Sequence, residues 1–219
     1  MVDLAPLPAP ARRARYHHGR LREAMIEAAV ALVEEVGPEQ VTVREAARRA
    51  GVSSGAPFRH FPSRTALMTA VAEEAMRRFL AEIAAALAEA GEAPPLVRFR
   101  ALGVAFLRWA ARNPTHFRVI SDRSLIDFEG SGVLREANAA LQSAMAALLT
   151  SAREAGELID GDLADLMLSA RAQVYGLARM ACDGQLPQWG VTPAETETRL
   201  MAAMDLYVAG LGKLANEMR

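Results

Sequence analysis

The chain has 219 residues, 25 of them basic and 26 acidic, for a formal net charge of −1, a balance that by itself predicts no affinity for nucleic acid. No uninterrupted apolar run approaches the ~18 to 20 residues of a membrane span, so no membrane partner is expected. The single cysteine, Cys182, excludes an intramolecular disulfide, fits a small core residue and points to a reducing, cytoplasmic setting.

Charge is unevenly placed. Through residue 65 ten basic residues face seven acidic ones, whereas beyond it fifteen face nineteen. Residues 1–11 are Ala/Pro-rich without helical period, and residues 12–22 hold five arginines and no acid. Residues 1–15 therefore read as a disordered basic arm, either gaining counterion-release energy on DNA or serving as a solubilising tail. Three prolines between Leu4 and Ala11, with arginines after the apolar stretch instead of before it, exclude a signal peptide.

Leu21, Met25, Ala28, Ala29, Leu32 and Val36 recur at helical spacing and predict a supporting helix that ends at Gly37-Pro38. Thr42 followed by Glu45 forms a capping box, with Val41 and Ala46 placed as a hydrophobic staple. Val43, Ala46, Ala47 and Ala50 then supply one apolar face, which leaves Arg44, Arg48 and Arg49 for solvent. Gly51 stands just past the last periodic residue, where a left-handed conformation closes a helix. Ser53 is a second cap and opens a short helix over roughly 54–60. Its front is made of small residues, Ser53, Ser54, Gly55 and Ala56, which let a backbone approach bases and phosphates closely. Arg59 and His60 add charge and donors one turn further on. Ser63 caps a third helix, and Arg64 at its start combines charge with free N–H groups suited to a phosphate. Capped helix, turn and capped helix, with five arginines against the single acid Glu45 between residues 42 and 64, imply contact with duplex DNA.

Beyond residue 64 the chain reads as helices alone, over roughly 64–90, 96–112, 114–123, 132–155, 161–183 and 194–216, giving an all-α fold of about nine helices. The first of them, beginning in the small basic region, continues into the larger one. Leu163, Leu166, Met167, Ala170, Val174, Leu177 and Ala178, and on the final helix Leu200, Met204, Tyr207, Leu211 and Leu214, form stripes that fit either an intramolecular core or a dimer interface. Arg171, Tyr175 and Arg179 follow at i, i+4 and i+8. One reading places Arg171 and Tyr175 against an anionic or carbonyl-bearing effector in a pocket lined by Phe106, Trp109, Phe117, Met145 and Leu148. The other pairs Arg171 across a dimer with an acid such as Asp165 or Asp205. His116 fits a core or cap residue better than a ligand contact.

The segment TVREAARRAGVSSGAPFRHFPSRTAL, within a match running from about Tyr16 to Leu80, resembles the DNA-binding domain of the TetR family of bacterial transcriptional regulators. The resemblance implies that Arg44, Ser54, Gly55, Ala56 and Arg59 approach bases and that Phe58, His60 and Arg64 approach the phosphate backbone. Two positions depart from the family pattern, Phe58 standing where Tyr is usual and Arg64 where Lys is usual. Loss of the phenolic hydrogen bond should weaken nonspecific grip by about 1 kcal/mol. NPTHFRVI at residues 113–120, DGQL at 183–186 and YHHGRLREA at 16–24 resemble a branch called WHG after its Trp and His-Gly residues; here Arg171 and Tyr175 occupy the Trp and His positions and only Gly176 remains.

These readings divide the chain into the arm, a helix-turn-helix domain over 16–65 and a helical effector-binding and dimerisation domain over 66–219. The resemblance implies a homodimer that reads a near-palindromic operator in double-stranded DNA, and a repressor released by an unknown small-molecule effector. Enzymatic motifs are missing: there is no Gly-rich phosphate loop, nucleophile elbow or metal-ligand spacing, so neither cofactor nor metal is expected. The competing expectation is a helical interaction protein whose small N-terminal domain docks a protein or RNA partner.

Overall fold

The computed structural model describes residues 18–52 and 57–213. It contains eight α-helices among those residues: α1 (His18–Val36), α2 (Val43–Arg49), α3 (Arg64–Ala90), α4 (Pro95–Arg112), α5 (Pro114–Ser121), α6 (Gly132–Glu154), α7 (Leu163–Cys182) and α8 (Thr196–Leu211). The ninth helix, expected over 54–60, falls partly on residues 53–56, which lie outside the described residues. Its remaining part, Pro57–Arg59, is a single 3-10 turn. Pro57 has no N–H and suits a first helical position, and its carbonyl accepts from the N–H groups of both His60 and Phe61. No strand occurs among the described residues. An isolated bridge between Leu158 and Gly212 ties the α6–α7 connection to the end of α8.

Helix boundaries follow local chemistry. The Thr42 hydroxyl accepts from the Glu45 N–H at 3.1 Å and opens α2. The reciprocal half of the capping box is not made, because the Glu45 carboxylate turns to Arg48 instead. At the other end Gly51 takes φ 67°, and the Gly51 and Val52 N–H groups donate to the Arg48 and Ala47 carbonyls, the paired closure of a Schellman motif. Ser63 caps α3 by accepting from the Ala66 N–H at 3.0 Å.

Two hydrophobic cores share α3. The smaller gathers α1, α2 and the first turns of α3 around Met25, Val33, Val41, Ala46, Phe61, Leu67 and Val71, and also takes Val119, Leu125, Ile126 and Leu134 from further along the chain. The larger receives Phe79 and Ile83 from α3, which packs there against α4 and α6, while α7 and α8 close the core against α4. Along α3, 27 residues or about 40 Å at 1.5 Å per residue, the buried stripe thus passes from one core to the other. At the far side of the larger core α4 and α8 lie close enough that a Cβ on Gly103 would collide with the Met204 side chain. Cys182 is a part-buried member of this core, its Sγ near the Ala110 carbonyl, and burial pushes its thiol up to about 11.

The short helix α5 joins both cores, with Phe117 in the larger and Val119 in the smaller. Beside them His116 is 4% exposed and sits 3.8 Å from the Glu34 carboxylate of α1, while its Nε2 makes no hydrogen bond. Burial pushes the His116 pKa below its ordinary 6.5, with Glu34 opposing. A folded state that keeps this imidazole neutral is favoured above pH 6.5. That advantage is lost as pH falls below 6.5 towards the depressed folded value, because the unfolded chain then binds the proton more readily. Urea unfolding at pH 7.5 and 5.5 should therefore show a fall in stability on acidification, and His116→Asn should reduce that fall.

Candidate functional site

Of the three arginines on α2, two are already paired. Arg48 bonds to Glu45 on its own helix, and Arg49 to Glu35 at the end of α1. Arg44 is exposed and makes no ion pair among the described residues. Arg59, in the 3-10 turn, is likewise exposed and unpaired there, and Phe58 beside it leaves 43% of its surface in solvent. His60 is part-buried at the edge of a cleft of about 310 Å³ between the start of α3 and the 127–131 loop. Ser53, Ser54, Gly55 and Ala56 lie outside the described residues.

Arg64 departs from the sequence expectation. Its Nε donates to the Val41 carbonyl at 3.0 Å and Nη2 to the Pro38 carbonyl at 2.5 Å, so the guanidinium points inward and ties the start of α3 to the connection between α1 and α2. The physical reason lies in that connection: Pro38–Gln40 forms a 3-10 turn whose Pro38 carbonyl receives only a long bond of 3.4 Å from the Val41 N–H, while the Val41 carbonyl lies beyond the turn, and a planar guanidinium reaches both oxygens at once. Sequence spacing offered no sign of acceptors 23 and 26 residues away.

The second candidate site lies in the larger core. Phe79, Phe106, Phe117 and Tyr175 form a run of tilted and edge-on rings, with centroids 5.3 Å apart for Phe79–Phe106, 6.0 Å for Phe106–Phe117 and 5.8 Å for Phe117–Tyr175. The Arg171 guanidinium lies 5.1 Å from the Phe106 ring centre and 5.3 Å from that of Tyr175. Burial pushes Arg171 below its ordinary value, Tyr175 opposes this, and Arg123 adds to it. No carboxylate bonds to Arg171 among the described residues. Asp205 pairs with Arg100 of α4 within the protomer, and Asp165 is exposed.

Two spaces meet at Arg171. One is a small cavity of about 30 Å³, lined by Phe106, Phe117, Arg123, Asn138 and Arg171 among others. The other is an apolar groove of about 360 Å³ between α6 and α7, lined by Met145, Met167 and Leu168, with Asn138, Leu141 and Arg171 shared between the two. Of the residues expected around an effector, Trp109, Leu148 and Tyr175 line neither space, Tyr175 reaching the cavity only through its ring contacts with Phe117 and Arg171. Trp109 is 2% exposed and packed on Phe79, and Leu148 is buried in the same core. Arg123, Asn138 and Leu141 had not been expected there. Arg123, expected as the last residue of the helix over 114–123, lies beyond the end of α5 at Ser121 in an irregular loop, so no sequence signal carried it to this place.

A capped-helix head with exposed cations, joined through one long helix to a helical body, is the arrangement of a helix-turn-helix regulator. Residues 25–71 match the family model described as bacterial regulatory proteins of the tetR family, and residues 99–204 match that described as the Tetracyclin repressor-like C-terminal domain. A protein of unknown function from Rhodococcus sp. RHA1 is 30% identical, with 92% of this chain and 100% of that one aligned at a TM-score of 0.76. A bacterial regulatory protein of the tetR family from Rhodococcus RHA1 (18% identity, 87% and 96% covered, TM-score 0.67) and the TetR family regulator PfmR from Thermus thermophilus (21% identity, 84% and 96% covered, TM-score 0.65) share the fold. A search of the curated proteins found no match. The chain belongs to the TetR family and is a DNA-binding transcriptional regulator. That membership displaces the alternative of a helical module docking a protein or RNA partner.

Arg64→Ala removes two charge-assisted hydrogen bonds. It should cost about 2 kcal/mol in urea unfolding while leaving the salt dependence of DNA binding little changed. A drop of about one in the salt slope with no loss of stability would return Arg64 to the phosphate-contacting group.

Proposed function

We propose that the protein is a cytoplasmic homodimeric repressor of a near-palindromic operator, released by a small-molecule effector held in its helical body. The carrying observation is the unequal treatment of the head's arginines. Arg48, Arg49 and Arg64 are committed within the protomer, whereas Arg44 and Arg59 are exposed and make no ion pair among the described residues. In this reading the helix-turn-helix domain spans 16–65 and the effector and dimer domain 66–219, with residues 1–15 as a basic arm. Arg44, Ser54, Gly55, Ala56 and Arg59 meet base edges, with Ser53 beside them at the front of the short helix. Phe58 and His60 flank the phosphate backbone, and Arg64 holds the start of α3 in register.

Dimerisation runs through α7 and α8, but through faces other than the sequence stripes. Leu200, Met204 and Leu211 are buried within the protomer, as are Ala170, Val174 and Ala178. The opposite faces carry Leu168 (69% exposed) and Ala172 on α7, and Ala202, Leu206 (76% exposed) and Ala209 on α8. Large exposed leucines among small residues on adjacent helices fit a second copy by close helix crossing, and two heads one helical turn apart, about 34 to 36 Å, would read successive major grooves.

Selection of randomised duplexes by the purified protein tests the whole reading, since it should enrich a two-fold symmetric site with steep salt dependence. On that site Arg44→Ala and Arg59→Ala should each cost about 1 to 3 kcal/mol and relax preference at one position per half-site. Leu206→Arg should yield monomers in sedimentation and lower operator affinity by about 100-fold through lost avidity, with the protomer still folded. Recovery of no sequence would overturn the operator assignment.

A further inference from the structure

Two cations face one small space without an anion. Arg171 enters it from α7, stacked on Phe106 and Tyr175, and Arg123 enters it from the loop between α5 and α6, its guanidinium 3.3 Å from the Phe128 ring centre. Neither makes an ion pair among the described residues. The acid next in sequence to Arg123, Asp122, is engaged by the Ser124 N–H at 2.9 Å and hydroxyl at 2.6 Å. Stacking on rings offsets part of a guanidinium's desolvation and leaves its hydrogen bonds unmade. A volume of about 30 Å³ admits little more than a water or a carboxylate group. The adjoining α6–α7 groove is different: about 360 Å³, walled by Leu141, Met145, Met167 and Leu168, within the usual range for small-molecule sites. Asn138 stands where the two meet.

We propose that the effector is an amphiphilic carboxylate, its head group held between Arg171 and Arg123 beside Asn138 and its apolar tail lying in the groove between α6 and α7. This rests on the reading of the helical body as an effector site and adds its chemistry. It also names a route to the head. The loop that carries Arg123 is fastened to α3, the Asp127 N–H donating to Thr69 Oγ1 at 2.9 Å and Ser131 Oγ to Glu73 Oε1 at 2.9 Å. A head group that draws Arg123 towards Arg171 pulls on the stretch of α3 that seats the DNA-reading head.

Calorimetric titration of the full chain with decanoate, decan-1-ol and decyltrimethylammonium, and with 4-phenylbutanoate and its alcohol, reads the chemistry directly. A carboxylate should bind once per protomer, at least tenfold more tightly than the matching alcohol, and the cation should not bind. Arg123→Gln, at an exposed position where folding is safe, and Arg171→Gln should each weaken the carboxylate at least tenfold and leave the alcohol unchanged. Alcohols that bind as tightly as carboxylates, carboxylates that ignore both substitutions, or no carboxylate binding at all would overturn the inference. Operator affinity followed in parallel separates the two levels. Carboxylate binding at the arginines without operator release upholds the site and sinks its role as effector switch. Release by an uncharged or cationic compound at a protein that binds no carboxylate upholds the switch and sinks the proposed chemistry.

Discussion

α3 has to satisfy two cores at once, and most of the molecule is arranged around that demand. Leu67, Met68 and Val71 anchor its first turns among α1 and α2, while Phe79 and Ile83, further along the same stripe, are locked against α4. A hydrogen-bonded helix is stiff over this length, and close-packed interiors deform little, so a displacement at one core has to appear at the other. The devices at its start sharpen this coupling. Ser63 fixes where the helix begins, and Arg64 binds it to carbonyls of the preceding connection, so the head cannot rotate independently of α3.

A second link runs beside the first. α5 is only 8 residues long, yet Phe117 belongs to the aromatic run that ends at Tyr175, Val119 belongs to the smaller core, and His116 and Arg118 face Glu34 and Glu39. The loop after it returns to α3 through Thr69 and Glu73. Packed rings on one side and hydrogen bonds on the other thus connect the space around Arg171 with the elements that seat the head. Differential affinity of an effector for two settings of these links is what a switch requires.

The stops were legible because they are local. Gly37-Pro38, Thr42, Gly51 and Ser63 act through their own φ preference or through groups a few residues away, and each marks a helix end in the structure. Partnership was not legible. Arg64 and Asp205 were each read as free for an outside contact, and both are committed inside the protomer, Arg64 to carbonyls of another segment and Asp205 to Arg100, 105 residues away. Likewise Leu200, Met204 and Leu211 form a stripe that suits a core and an interface equally; only the position of α4 beneath them decides.

The sequence by itself determined the helical class, the order and limits of most helices, and the capped head with its arginines, because helix periodicity and capping are properties of neighbours in the chain. Tertiary structure decided which arginines are neutralised, which faces of α7 and α8 remain exposed, and that Arg123 meets Arg171 at one cavity. Those outcomes depend on where distant segments come to rest, and burial, pairing and enclosure exist only once they have packed.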